Sequence, residues 1–188
     1  MDIKRTVVAA TTAALLTFSL TAVTGCGASS DEDLIRDAIT SELESIKTLD
    51  EAFLAEMVDG LSADEFTTYG IDPTEFMSSY LAGFDYSIGD ISVDGDTATA
   101  TVTLTCKSFS AYEESLTAKS SDAVQNNDLA SMSEDEINKL IGKIMVEALN
   151  EVEPATTEPI TLEYTKEGNV WTPTAASEEA LTNAMLSN

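Results

Sequence analysis

The sequence contains no histidine, and only two of its 188 residues are arginine and two are cysteine. Without histidine there can be no His-based catalytic triad, no His general base and no His metal ligand. Arg36 is the only arginine after residue 5, so bidentate clamps for phosphate or carboxylate groups are scarcely available. These absences remove many familiar catalytic and metal-binding sites from consideration.

Positive charge is also scarce. The chain carries 34 acidic and nine basic residues, for a formal net charge of −25. Such a surface repels nucleic acid and anionic lipid headgroups, so we expect no nucleic-acid partner. The acidity mainly predicts a well-solvated surface, although a role in attracting cations or basic peptides stays open.

The first 25 residues have the layout of a secretory signal peptide. Lys4 and Arg5 form a positive start, the stretch 6–22 has no charge, and small residues follow. A retained transmembrane helix is the alternative, because the uncharged run is long enough to span a bilayer. Its richness in Ala and Thr favours the signal peptide.

Val23-Thr24-Gly25-Cys26 closes this leader and resembles the lipobox of bacterial lipoproteins. The resemblance implies that the Cys26 sulfur receives a diacylglyceryl group, that the chain is cut after Gly25, and that Cys26 becomes the N-terminus. Each buried methylene group contributes about 0.8 kcal/mol, so two or more acyl chains anchor a protein stably. The alternative is that Cys26 is an ordinary residue near a cleavage site. With lipid on Cys26, residues 26–30 would form a lipidated tether, and residues 31–188 would form a single domain.

The first half of that domain has helical periodicity with clear start and stop signals. We expect caps at Ser30, Asp50, Ser62 and Asp72, the last followed by proline at the first helical position. The predicted apolar face of the first helix consists of Leu34, Ile35, Ala38, Ile39, Leu43 and Ile46.

The period then changes to two. Alternation along 84–93, with a bulge at Gly89-Asp90, is followed by a hairpin signal at Asp94-Gly95. The next strand alternates an apolar row that ends at Cys106 with a threonine row along 97–105. The threonine row indicates a solvent face, with a recognition ladder as the alternative.

The last third predicts two further helices and a second hairpin. A helix over about 110–127 should bury Tyr112, Leu116 and Val124, and a capping box at Ser133 begins a strongly amphipathic helix. We expect a linker over 155–159, strands on either side of Gly168-Asn169, and a last helix capped by Ser177. The fold class is therefore α+β, with N-terminal helices packed on a curved antiparallel sheet of about four strands, whose two hairpins are separated by a helical segment.

This order of elements, with Trp171 in the closing strand after Lys166-Glu167-Gly168-Asn169, resembles bacterial lipoproteins with a nuclear-transport-factor-2-like (cystatin-like) domain. The resemblance spans about residues 31–174. It implies a curved sheet wrapped on helices. Enzymes of this fold usually hold an acid–base pair inside the cone, often including histidine, which this chain lacks.

Two sets of residues are candidates for a site within the sheet. Phe76, Tyr80, Tyr86 and Trp171 could line a ligand pocket on the concave face, although aromatic residues at this spacing are commonly core residues. Asp85 and Asp90 flank the first strand, and a buried carboxylate there could act as a general base. Solvation at the strand ends is the simpler interpretation.

Metal and thiol chemistry have weaker support. The acidic runs 31–33, 94–96 and 134–136 could bind calcium, but none forms the twelve-residue loop of an EF-hand. We expect no metal and no cofactor. Cys106 lies on the apolar face of its strand and is expected to be a buried thiol, not a nucleophile.

The sequence therefore predicts an extracytoplasmic protein, anchored to the cell membrane through lipid on Cys26, that acts as a non-catalytic binding or interaction module. Its partner would be a surface protein or a small ligand. The alternatives are a carboxylate-dependent enzyme of the isomerase or hydrolase type, and an accessory factor in envelope assembly or export. A binding module predicts an apolar cavity, an enzyme predicts two converging carboxylates, and an assembly factor predicts a large exposed apolar patch.

Overall fold

Four helices precede the main strands of the sheet in the computed structural model, which describes residues 22–24, 30–59 and 63–186. A two-residue strand, β1, comes first, at Val23–Thr24. The helices that follow are α1 Asp31–Lys47, α2 Glu51–Asp59, α3 Ala63–Thr68 and α4 Pro73–Leu81.

The rest of the chain alternates hairpins and helices. Its elements are β2 Asp85–Asp94, β3 Thr97–Cys106, α5 Phe109–Asn126, a 3₁₀ turn at Leu129–Ser131, α6 Glu134–Glu151, β4 Ala155–Thr156, β5 Ile160–Glu167, β6 Val170–Pro173 and α7 Ala175–Leu186.

The strands form one curved antiparallel sheet that is not closed into a barrel. The strand order is β1-β6-β5-β3-β2, and β4 pairs with β3. The predicted α+β class, with two hairpins separated by helices, is confirmed. The two short strands were not predicted. The expected linker contains β4, whose Ala155 and Thr156 pair with Cys106 and Thr105.

The turns and the bulge follow the glycines of the sequence. The register of β2 against β3 shifts between Ile88 and Ile91, as predicted for the bulge. The first hairpin turns through residues 95 and 96, one residue later than predicted, because Gly95 takes the positive φ of +61° at the first turn position. The second turn lies at Gly168-Asn169, as predicted, with φ of +64° at Gly168.

The helix caps satisfy backbone N–H groups at the first turns. Ser30 and Asp33 form a reciprocal capping box on α1, and Ser133 and Glu136 form another on α6. Both caps were predicted. Ser177, expected to cap α7, lies instead inside its first turn.

The Ser177 hydroxyl accepts a hydrogen bond from the Glu163 backbone N–H at 2.6 Å and donates one to the Glu163 carbonyl at 2.8 Å. Its own N–H reaches the Thr174 hydroxyl at 3.3 Å, so Thr174 takes the capping role. The hydroxyl at position 177 therefore joins α7 to strand β5.

The core lies between the inner face of the sheet and the helices. The apolar row of β3 is almost fully buried, and the predicted face of α1 packs towards the core through Ile35, Ile39, Leu43 and Ile46. In α5 the sequence prediction is partly wrong. Val124 is 46% exposed, whereas Ser120 is buried and its hydroxyl donates to the Leu116 carbonyl.

Two buried residues fix helix positions in ways that periodicity does not show. Gly142 brings α6 so close to the Tyr69 carbonyl that a Cβ atom would overlap it. Lys107 is 8% exposed, and its Nζ donates to the carbonyls of Ser79 at 2.9 Å and Leu149 at 3.2 Å. The ammonium group therefore lies at the C-terminal ends of α4 and α6, where helix dipoles favour positive charge.

Candidate functional site

The four aromatic residues proposed for a ligand pocket have different partners in the structure. The Phe76 ring contacts Phe66 and Tyr112, with centroids 5.2 and 6.0 Å apart. The buried Tyr80 hydroxyl donates to the Met185 carbonyl at 3.2 Å. Phe76 and Tyr80 thus join α4 to neighbouring helices, and the common pocket stays a prediction.

Trp171 belongs to a cluster where α1 begins. Its Nε1 donates to Asp31 Oδ1 at 3.0 Å, and Lys166 Nζ donates to both oxygens of Asp31 at 2.9 and 2.8 Å. Lys166 Nζ also lies 5.1 Å from the centroid of the Trp171 ring, within the range of a cation–π contact. We call Asp31, Lys166 and Trp171 the junction cluster.

The junction cluster is partly shielded from water. Trp171 is fully buried, and the side chains of Lys166 and Asp31 are 20% and 34% exposed. Hydrogen bonds from Lys166 and then Trp171 hold the pKa of the Asp31 carboxyl below its ordinary value. The cluster therefore ties the first helical residue to strands β5 and β6 through a charged carboxylate.

Strand β1 lies at the edge of the sheet next to this cluster. Val23 pairs with Trp171 and Thr24 with Val170, both antiparallel. The backbone of two residues from the segment that resembles a lipobox is thus part of the sheet. Cys26 itself, the proposed lipidation residue, lies outside the described residues.

Tyr86 belongs to a second cluster, at the opposite end of α1. Its hydroxyl donates to Glu44 Oε2 at 3.1 Å, and Lys47 Nζ lies 5.6 Å from the ring centroid. Lys47 also forms an ion pair with Asp85 at 2.8 Å. We call Lys47, Asp85 and Tyr86 the far cluster.

Neither carboxylate proposed as a general base has the surroundings of one. Asp85 is exposed, and its hydrogen bond from Lys47 lowers its pKa. A general base at neutral pH needs the opposite shift. Asp90 is also exposed.

Among the carboxylates in the described part of the chain, Glu42 has a raised pKa, and sequence reasoning missed it. It is half-buried on α1, and burial and then repulsion from Glu56 raise its pKa. Its charge also contributes, after burial, to the raised pKa of the Tyr164 phenol, whose buried hydroxyl has no hydrogen-bond partner among the described residues. Glu42 lies three residues after Ile39 and four before Ile46, so helical spacing places it beside the buried face of α1. That spacing was the signal that could have found it.

Two members of the acidic runs form helix caps, and the Cys106 thiol is buried in the core. Among residues 22–24, 30–59 and 63–186, no group of three or more His, Cys, Asp or Glu side chains is placed to hold a metal ion. Asp33 and Glu136 serve the capping boxes. Cys106 is buried as predicted, and burial raises the pKa of its thiol to about 11, so it is protonated at neutral pH.

An open groove of about 490 Å³ runs along the outer side of α5. Its lining side chains are those of Ser110, Glu113, Glu114, Thr117, Ala118 and Ser121. The groove is open to solvent, whereas sites that bind small molecules enclose most of their ligand. The exposed large apolar side chains found in the described residues are Val124 and Val146.

In the described parts of the chain, no helix combines the length and the hydropathy needed to cross a bilayer.

Comparison with known proteins gives a limited result. No protein-family model and no curated protein matches the chain. A candidate lipoprotein (ycdA) from Bacillus subtilis has a crystal structure that aligns with 85% of this chain and 48% of its own, with 13% sequence identity and a TM-score of 0.44. The chain therefore spans about half the length of that structure, and the similarity is too low to assign a family or a function.

Proposed function

We propose that this protein is a lipoprotein, anchored to the outer side of the cell membrane through acyl chains on Cys26, and that its domain is a non-catalytic binding or interaction module. The observation that carries the proposal is the sequence Val23-Thr24-Gly25-Cys26, which follows two basic residues and a long uncharged apolar run. The membrane would be its first partner, and a surface protein or small ligand its second.

The position of the first helix supports an anchor at this point. Helix α1 begins at Asp31, five residues after Cys26, and the junction cluster fixes that residue to the sheet. At about 3.3 Å per residue, the four residues 27–30 between Cys26 and α1 reach about 13 Å. The domain would therefore stay close to the membrane surface.

The surroundings of the two carboxylates proposed as general bases weigh against the enzymatic alternative that used them. Asp85 is ion-paired with Lys47 and exposed, and Asp90 is exposed. The accessory role in envelope assembly or export stays a prediction. The nuclear-transport-factor-2-like resemblance likewise stays a prediction, beyond the α+β class.

The anchor is tested by feeding cells a labelled palmitate and by mass spectrometry of the native N-terminus. We expect the label in the wild-type protein and in Cys106→Ser, which is the matched control, and complete loss of the label in Cys26→Ser. The mature wild-type chain should begin at an acylated Cys26. An unmodified thiol at that position, or a different first residue, would contradict the proposal.

A further inference from the structure

We propose that the edge of β6 at residues 170–172 is a docking site for an extended, positively charged segment of another protein, which adds to the sheet as an antiparallel strand. The site becomes available when the leader is removed. The inference rests on the proposed function, because cleavage after Gly25 would remove Val23 and Thr24 from that edge.

The structure shows that this edge accepts a strand. Val23 and Thr24 pair with Trp171 and Val170 in antiparallel register. The other side of β6 pairs with β5 without a register shift, so the strand presents a regular edge. Unpaired N–H and C=O groups on such an edge are a template for an added strand.

The opposite edge of the sheet, formed by β2, is protected against an added strand, so the two edges differ in their ability to accept one. Strand β2 carries the bulge between Ile88 and Ile91, and the Arg36 guanidinium donates to the carbonyls of Ile88 and Gly89 at 3.5 and 3.3 Å. Helix α1 also packs against β2. Bulges, charged groups and covering helices are the usual means of blocking an edge.

Charge selects the occupant. Glu167, Glu32 and Asp33 are exposed on the elements that join at this edge, and the whole chain has a net charge of −25. Two copies of so acidic a protein repel each other, whereas a basic segment is attracted. A second copy is therefore disfavoured, and a cationic strand is favoured. Since Pro173 ends β6, the docked segment is short.

The test compares open and covered edges in full-length proteins that keep their leader. Cys26→Ser blocks cleavage and leaves β1 in place. Adding Val23→Pro together with Thr24→Pro removes β1 from the edge, because one of these two successive N–H groups faces β6; we call this variant the Val23→Pro protein. Ala22→Pro in the same background is the matched control, because residue 22 lies outside β1. The native mature lipoprotein is the fourth sample, and all four are kept in the same detergent micelles.

The probe is a fluorescent peptide, Lys-Lys-Thr-Val-Thr-Val-Lys-Lys, with a version that has glutamate in place of lysine. By fluorescence anisotropy, we expect the lysine peptide to bind the mature protein and the Val23→Pro protein at least tenfold more tightly than the two covered proteins. The glutamate peptide should bind at least tenfold more weakly. Hydrogen exchange should slow at residues 170–172 and not at 85–94.

Equal binding to open and covered edges, protection at other residues, or preference for the acidic peptide would overturn the inference. So would concentration-dependent dimerisation of the open form in light scattering, which would identify a second copy as the occupant. The Val23→Pro comparison does not depend on lipidation. Loss of the proposed anchor would therefore be recognised from the palmitate experiment alone, and failure of the docking site from the peptide experiment alone.

Discussion

The two ends of helix α1 are joined to the sheet by the same three kinds of side chain. At its start, Asp31 pairs with Lys166 over Trp171, and at its end, Lys47 pairs with Asp85 beside Tyr86. The shortest Lys–Asp distance is 2.8 Å in both clusters. They differ in exposure, because the charged side chains are 20% and 34% exposed in the junction cluster but 43% and 59% exposed in the far cluster.

This difference shows that distance alone does not decide what an ion pair contributes. Water and salt screen the far cluster, and exposed pairs contribute little to stability. In the junction cluster the carboxylate also accepts a bond from a buried indole, so losing it would leave the Trp171 N–H without its partner. We therefore expect the same substitutions to have larger effects in the junction cluster.

The largest expected difference concerns the aromatic residues. Trp171→Ala removes a fully buried side chain, and we expect it to lower the free energy of unfolding by about 3–5 kcal/mol. Tyr86→Ala, at the half-buried position, should cost less than half of that. Urea denaturation of both variants measures the difference. Equal losses would mean that the far cluster is as much a part of the core as the junction cluster.

The next difference concerns the carboxylates. Asp31→Asn removes the charge that Lys166 and Trp171 contact, whereas Asp85→Asn removes one exposed partner of Lys47. We expect the melting temperature to fall more for Asp31→Asn, and 0.5 M NaCl to erase more of the effect of Asp85→Asn. A larger loss for Asp85→Asn, or the same salt response in both, would contradict the comparison.

The smallest expected effect is the pH dependence of the stability that Asp31 and Asp85 contribute. Hydrogen bonds lower the pKa of both carboxyls in the folded state below the ordinary value of 3.8. An acid with a depressed folded pKa stabilises the fold above its unfolded pKa, and this contribution is lost as the pH falls through the folded value. The stability difference between wild type and Asp31→Asn should therefore be constant from pH 7 to about 4.5 and shrink below 3.8.

Denaturation series from pH 7 to pH 2 would measure this loss, with Asp85→Asn showing a smaller change over the same range. A difference that grows as the pH falls would mean that Asp31 is destabilised in its charged form, contrary to its contacts with Lys166 and Trp171.

Helix and strand positions were largely predictable, because they depend on local periodicity and caps. Ser30 and Ser133 were recognised as caps, since their acidic partners lie three residues along the chain. Ser177 was misassigned because its hydroxyl bonds Glu163, 14 residues away. The first hairpin was placed one residue early, because the sequence shows that Gly95 lies in the turn but not which turn position it takes.

The candidate sites were less predictable, because each depends on contacts between distant residues. Asp31 reads as an ordinary acid in a helix first turn, and only the fold brings it to Lys166, 135 residues later. Lys107 follows an alternating strand, and its burial depends on where α4 and α6 end. Trp171 and Tyr86 were both chosen as pocket residues, yet they lie in clusters at opposite ends of α1.

The sequence by itself determined the acidity, the absence of histidine chemistry, and the order of helices and hairpins, and it predicts the leader and the lipid anchor. All of these depend on residue types and on neighbours within a few positions. Only the tertiary structure decided which charges are shielded, which edge of the sheet is blocked by Arg36, and which edge carries Val23 and Thr24. Shielding and edge pairing arise from packing between segments far apart in the chain, and periodicity contains no information about such contacts.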